Sequence, residues 1–261
     1  MLGLGLNTAG TSAAAGESLE RETSAYSLYL SGPNDTMRGA RTTTSFQDWT
    51  ANQDWSLRFQ IELDTIASAQ TIAQVGVSTD YIWIQAEAGS GRLLVTTVAS
   101  STTISNPVFS TSISASTWTE IVITCDSTSG SSKVFTCYQD GSAVATFSET
   151  IPVSSSTSLL PPTGKAFWGS FFNVVDYDFK IDNIASFRTV LSADEVSEIY
   201  NSQPILTKDY GNYASSSNLR SYYRLDEGSG STAADSSDNA SATDYSLINS
   251  PAWSTDVMFP G

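Results

Sequence analysis

The sequence predicts an all-β protein built as two stacked antiparallel sheets, and three observations carry that expectation. Short apolar or alternating runs recur along the 261 residues between clusters of Ser, Thr, Gly, Asn and Asp, the punctuation of strands and turns. Roughly a quarter of the residues are Ser or Thr and only 15% are charged, a chemistry that hydrates strand surfaces with short side chains. A helical period shows in a single stretch.

In chain order the expected strands are residues 26–30, 36–40, 56–63, 71–77, 81–86, 92–98, 120–125, 133–138, 143–147, 165–172 and 177–187. Within the third, Phe59, Ile61 and Leu63 alternate with Arg58, Gln60 and Glu62, so its polar face is expected to meet solvent or a ligand. In the fifth, Tyr81 and Trp83 share one face and Ile82 and Ile84 the other, and either face can be the buried one. Asp140-Gly141 reads as a hairpin turn because both residues accept positive φ, and Gly89 to Gly91 as another turn. Cys125 and Cys137 fall on two arms of one hairpin, with Cys125 expected opposite Val134 and Cys137 opposite Val122. That separation is too long to bridge, so both are expected as free, buried thiols. The helix is expected over residues 191–200, with Ser192 as N-cap, Glu195 three residues on, and Val196, Ile199 and Tyr200 as its apolar stripe. Leu219, Tyr223 and Leu225, alternating with Tyr222 and Arg224, predict one more strand.

Charge and composition exclude several functions. With 12 Lys+Arg against 27 Asp+Glu the net charge is −15, a field that repels nucleic-acid phosphates. His is absent, which removes imidazole bases, Ser-His or Cys-His nucleophiles and His-containing zinc sites, so any catalysis would rest on carboxylates. The apolar runs are too short to span a bilayer. No basic segment precedes the opening MLGLGL, so a secretory leader is not expected there. Residues 10–16 (GTSAAAG) and 228–242 have linker composition, too poor in apolar side chains to offset ordering entropy alone. They are expected to be arms held by neighbouring subunits or proteins. The acidic residues 235–244 lack the ligand alternation of a calcium loop and read as a solvated loop.

Residues 178–200 (DFKIDNIASFRTVLSADEVSEIY) resemble the closing strand and helix of laminin-G-like, concanavalin A-like jelly-roll domains, and residues 26–37 (YSLYLSGPNDTM) resemble their opening strand. The resemblance implies a jelly roll with a concave and a convex face, spanning about residues 26–203, between an N-terminal attachment arm (1–25) and a C-terminal extension (204–261) with an added strand. The extension, through NLRSYYRLDEGSG (218–230), ADSSDN (234–239) and YSLINSPAW (245–253), is similar to an element that trails single jelly rolls in tailed-bacteriophage structural proteins.

From that resemblance comes the expected role: a non-enzymatic virion structural protein, capsid decoration or head fibre first and tail or collar component next. It would be assembled in the host cytoplasm and joined to other virion proteins, and to copies of itself, through its arms. The alternative is a carbohydrate-binding adhesion module for host glycans, with Trp83, Tyr81 and Trp168 as candidate ligand-binding aromatics; Trp49, Trp55 and Trp118 qualify by type only, and core packing is the competing reading for each. Related jelly rolls hold a structural calcium near the first and last strands, which would fall to Asn34, Asp35 and Asp182. The competing reading makes Asn34 and Asp35 a turn and Asp182 an acceptor of backbone hydrogen bonds; no other cofactor is expected. A remote third reading is glycoside hydrolysis at Glu62-Leu63-Asp64, where related glucanases carry E-x-D-x-x-E. Ala67 stands at the third carboxylate, leaving no pair to divide attack and protonation.

Overall fold

The structure, a computed structural model, describes residues 20–31, 35–40, 54–77, 80–99, 102–105, 108–127, 133–149, 165–169, 178–239 and 242–260. The expected arm 1–16, Asn34, Trp49 and the end of the strand expected over 165–172 lie outside them. In order the strands are β1 (Ser27–Ser31), β2 (Thr36–Ala40), β3 (Trp55–Leu63), β4 (Gln70–Val77), β5 (Asp80–Ala86), β6 (Arg92–Ala99), β7 (Thr102–Ser105), β8 (Val108–Ser112), β9 (Thr119–Asp126), β10 (Lys133–Gln139), β11 (Ser142–Glu149), β12 (Lys165–Gly169) and β13 (Asp178–Phe187). After helix α1 (Ala193–Ser202) come β14 (Leu219–Tyr223), β15 (Thr232–Ala233), β16 (Tyr245–Ile248) and β17 (Ala252–Ser254).

Two antiparallel sheets result. One runs β11-β10-β9-β3-β13-β1-β17, with β14 also paired to β13; the other runs β15-β16-β2-β12-β4-β5-β6-β7, with β8 on β6. Their facing sides close the main core: Leu28, Phe59, Ile61, Ile72, Ile84, Val95, Ile121 and Ile181 are all buried. Phe59 meets Trp168 edge to face across it, ring centroids 5.5 Å apart. Side chains of this kind contribute about 1.5–3 kcal/mol each when withdrawn from water.

A second core lies on the opposite side of the first sheet. Val122, Tyr138, Ala185 and Phe187 point outward there and are roofed by Val196 and Ile199 of α1 and by Leu206, Tyr213, Leu219 and Tyr222. The helix starts as its sequence predicts: Ser192 accepts from the Glu195 amide at 3.2 Å while the Glu195 carboxylate accepts from the Ser192 amide at 2.9 Å. It ends at Gln203, in the left-handed region with φ 47°.

This roof corrects one expectation. Arg58 and Gln60 do alternate with the core residues, yet their face of β3 meets neither solvent nor an open ligand site, since both are fully buried beneath Gln203 and the strand-preceding residues Glu22 and Ser24. The alternation read the pleat correctly and could not see a second layer over it.

The C-terminal residues also do more than add one strand. β14 takes over the edge of β13 where β1 leaves it, pairing Ile184 with Tyr223 where β1 pairs Leu28 with Ile181. It stops at Tyr223, before Leu225, whose φ is 57°. β17 borders β1, while β16 and β15 extend the other sheet beyond β2. The short β7, β8, β15, β16 and β17 escape sequence reading because a few residues carry too little period. Gly39 on β2 is required here: a Cβ at that position would lie 1.9 Å from the Tyr245 ring, which stacks on Tyr223 at 4.4 Å.

The described part of 228–242 departs from the expectation of an arm held by neighbours, because the chain itself fastens it. Asp235 accepts from the amides of Tyr222 and Ser237 at 3.0 Å and of Thr243 at 3.2 Å, and Asp244 accepts from the Asp235 amide at 3.0 Å. Carboxylates that read as solvated decoration are acting as local splints.

The Asp140-Gly141 turn forms as expected, with φ of 49° and 75°. Both cysteines are buried and neither is in a disulfide, and burial pushes the Cys137 thiol up to about 12. The ladder is one residue off its expected register: Cys125 faces Phe135 and Cys137 faces Ile123.

Candidate functional site

β5 settles which of its faces is inside. Ile82, Ile84 and Ala86 enter the main core, while Trp83 and Gln85 stand half-buried on the outer side of the second sheet. Antiparallel register then fixes Trp83's neighbours, because residues directly opposite each other share a face. Trp83 lies opposite Gln74 on one side and Thr96 on the other, and the same row continues from Gln74 through residue 167 to Arg38, Ser246 and Thr232. Arg38, Ser246 and Thr232 are exposed, Thr96 is half-buried, and Gln74 is buried. The Trp83 indole N–H donates to the Thr71 hydroxyl at 3.3 Å, which fixes the ring on the sheet. An immobilised indole beside the half-buried Thr96 can stack on the apolar face of a sugar ring, with polar groups farther along the row, Arg38 among them, to meet its hydroxyls.

Of the sequence-predicted aromatics, Tyr81 lies on the same strand two residues before Trp83, paired with Gly76 and Val98. Trp168 is not brought there. It is 1% exposed, packed against Phe59 between the sheets, and has no face to offer a ligand. Trp55 is likewise buried, edge to face with Phe135.

The opposite surface holds a denser set of charges. At the centre, the Arg58 guanidinium reaches Glu120 Oε2 from Nε at 3.0 Å and Nη2 at 2.7 Å, Glu22 at 2.7 Å and Gln203 Oε1 at 3.1 Å. Gln60 and Asn183 extend the network to Ser24. Burial pushes the Glu22 carboxyl above its ordinary value against the pull of Arg58, and Tyr222 donates to it. All these groups are buried, so the cluster ties segments together and cannot admit substrate.

Toward the uncovered end of the same face, Tyr29, Lys180 and Glu62 form one cross-strand row. Lys180 Nζ donates to Glu62 at 2.7 Å and Asp256 at 2.8 Å and stands 3.7 Å from Asp64, and Tyr29 donates to Asp64 and Asp178. Burial works against the Lys180 charge, but its bonds to Asp256 and Glu62 win and hold its pKa above the ordinary lysine value. Asp256 is held low, first by the Lys180 hydrogen bond. Trp118 donates its indole N–H to Asp256 at 3.1 Å.

That geometry bears on glycoside hydrolysis, which needs two carboxyl groups facing each other across a sugar, one protonated. Here Glu62, Asp64 and Asp256 converge on one ammonium. β3 also ends at Leu63, so Ala67 lies in the exposed turn beyond it and the strand-borne spacing of three carboxylates is not formed.

The calcium candidates separate. Asp35, directly before β2, accepts from the amide of Ser31, which pairs with Asp178 of β13, at 3.3 Å. Asp182 lies four residues along that strand, about 13 Å at the usual rise, fully buried and accepting from the Asn183 amide at 2.9 Å. Burial pushes its carboxyl well up, a shift the Ser24 hydrogen bond only moderates. Among the described residues no group of three or more acidic or thiol side chains is gathered as a metal site. Nor is any described helix long and apolar enough to cross a membrane.

The family model described as the concanavalin A-like lectin/glucanases superfamily matches residues 35–197, more than half of the chain. Among solved structures, a "putative carbohydrate binding protein" from Bacteroides ovatus aligns with a TM-score of 0.61 at 12% identity over 92% of this chain. The chain spans 62% of that structure's length. A tryptophan-to-alanine mutant of HCR/D aligns with a TM-score of 0.52 at 14% identity, covering 72% of this chain and 45% of the other. The receptor-binding domain of botulinum neurotoxin type G aligns at 19% identity over 57% of this chain and 38% of its own, with a TM-score of 0.44. Among curated proteins, none matches.

Proposed function

The chain belongs to the concanavalin A-like lectin/glucanase superfamily, and from that premise we propose that it is a carbohydrate-recognising adhesion module without hydrolytic activity. Its glycan-contacting surface is the outer face of the β2-β12-β4-β5-β6 sheet. The observation that carries this reading is the cross-strand row centred on Trp83, whose ring is pinned by Thr71 between Gln74 and Thr96, with exposed Arg38 three strands away. The carbohydrate-binding description of the Bacteroides structure agrees with it, although the likeness itself is one of fold. Absence of turnover is the counterpart on the other sheet, where Lys180 occupies the point on which the carboxylates converge.

A glycan array on the full chain, followed by titration of the best ligand into the Trp83→Ala variant, tests the proposal. Loss of binding with an unchanged melting temperature supports it. Full affinity in the variant refutes it.

The trailing element at 218–253 supports a setting for the module: a tailed-phage virion, with residues 1–25 as the arm that joins it to other virion proteins. Deleting residues 1–16 is then expected to abolish incorporation into particles while the sandwich still folds. Normal incorporation of the truncated chain would rule that setting out.

A further inference from the structure

A small cleft of about 270 Å³ lies in the C-terminal extension, at the β14 edge of the first sheet and apart from the Trp83 face, lined by Thr207, Ser216, Ser217, Leu219, Asp238 and Asn239 around Arg220. Arg220 reaches it because β14 bulges there. Ser186 pairs with Ser221 and the next residue, Phe187, pairs with Leu219, so Arg220 is the extra residue, left out of the ladder. Bulges of this kind re-aim a side chain. Its Nε is buried and has no hydrogen-bond partner among the described residues. A buried donor on a charged group left unmatched is costly, and the cleft is where an acceptor can enter.

We infer that this cleft binds a single sugar residue bearing a carboxylate, with Arg220 taking the carboxylate. The volume falls below the ~300 Å³ at which drug-sized pockets begin, which suits one ring. Hydroxyl and amide groups of Thr207, Ser216, Ser217 and Asn239 make up most of the rest of the wall, and these pair with sugar hydroxyls. Asp238 on the rim decides between anions: neutral sugar hydroxyls donate to its carboxylate, whereas the charge of a phosphate would be repelled by it. The inference does not depend on the Trp83 face, since the two sites share no strand.

The test is titration of the full chain with glucuronate, with glucose and inorganic phosphate as comparisons, in the native protein and in Arg220→Gln, Arg220→Lys and Trp83→Ala. Glucuronate is expected to bind in preference to both comparisons and to weaken by about tenfold or more in Arg220→Gln, the loss typical of one charge-assisted hydrogen bond. Arg220→Lys, which keeps the charge and loses the Nε donor, is expected to weaken binding while preserving the fold should the Gln variant not fold. Trp83→Ala is expected to leave glucuronate affinity unchanged. Phosphate binding as tightly as glucuronate, undiminished affinity in the Arg220 variants, or no binding of glucuronate would each overturn the assignment. Loss of glucuronate binding in Trp83→Ala alone would overturn it too, while leaving the outer-face reading standing.

Discussion

The two sheets carry the same kind of strand and put it to opposite uses. β3 alternates Arg58, Gln60 and Glu62 with core residues, and β5 alternates Trp83 and Gln85 with core residues. One outer face is sealed around Arg58 and Gln60 and stays open only at its Lys180 end, and the other keeps Trp83, Thr96 and Arg38 at least partly open to water. The difference lies in what the rest of the chain lays over the strand. Polar side chains facing outward from a sheet are therefore weak evidence of a site until the second layer has been placed. Burial converts them from ligands into ties, as with Arg58, which joins Glu22, Glu120 and Gln203 from three separate segments.

The largest effect that would break the comparison is at Arg58. Arg58→Met leaves Glu22 and Glu120 buried without their cation and is expected to cost about 3–5 kcal/mol in chemical denaturation; a change near zero would mean the roof is not closed. Gly39→Ala comes next, at about 1–3 kcal/mol for forcing a methyl into the Tyr245 ring, measured in the same way. Its loss should appear without change in the α1 side of the molecule, seen by hydrogen exchange.

The sealed face should also leave a mark on the pH dependence. Glu22 and Asp182 have folded-state pKa values raised by burial, so the stability they contribute is full below the ordinary carboxyl pKa, about 4, and is lost as pH climbs through the raised values. Asp256 acts in the opposite sense: its pKa is depressed, and its contribution disappears as pH falls through the depressed value. Asp182→Asn should flatten the decline on the alkaline side of pH 4; an unchanged stability-versus-pH curve would contradict the assignment. The smallest effect is expected at Lys180→Met, about 1 kcal/mol or less in stability for a partly exposed cluster and no gain of hydrolysis on β-glucans.

Much of the fold was legible in the residues. The eleven principal strands, the capping box at Ser192 and Glu195 and the Asp140-Gly141 turn each follow from period or local chemistry. Illegible were features that need distant partners: the burial of Arg58, the fastening of residues 228–239 by Asp235, and the interior position of Trp168, whose residue type suits a core as well as a ligand site. The candidate site was legible by half. Trp83 stands on the face opposite the buried Ile82 and Ile84 as alternation requires, but the row that joins Trp83 to Gln74, Thr96 and Arg38 is a property of strand order, which a single sequence does not display. The Arg220 cleft had no signal at all, since a bulge is one unpaired residue.

The most direct measurement is calorimetric titration of an array-identified glycan into the native chain, Trp83→Ala and Glu62→Gln, with the sugar recovered and sized afterwards. The expected result is binding abolished by Trp83→Ala, preserved in Glu62→Gln, and a ligand returned intact. Binding that survives at Trp83→Ala, or a glycan cleaved by the native chain and spared by Glu62→Gln, would contradict the assignment of recognition to one sheet and mere cohesion to the other.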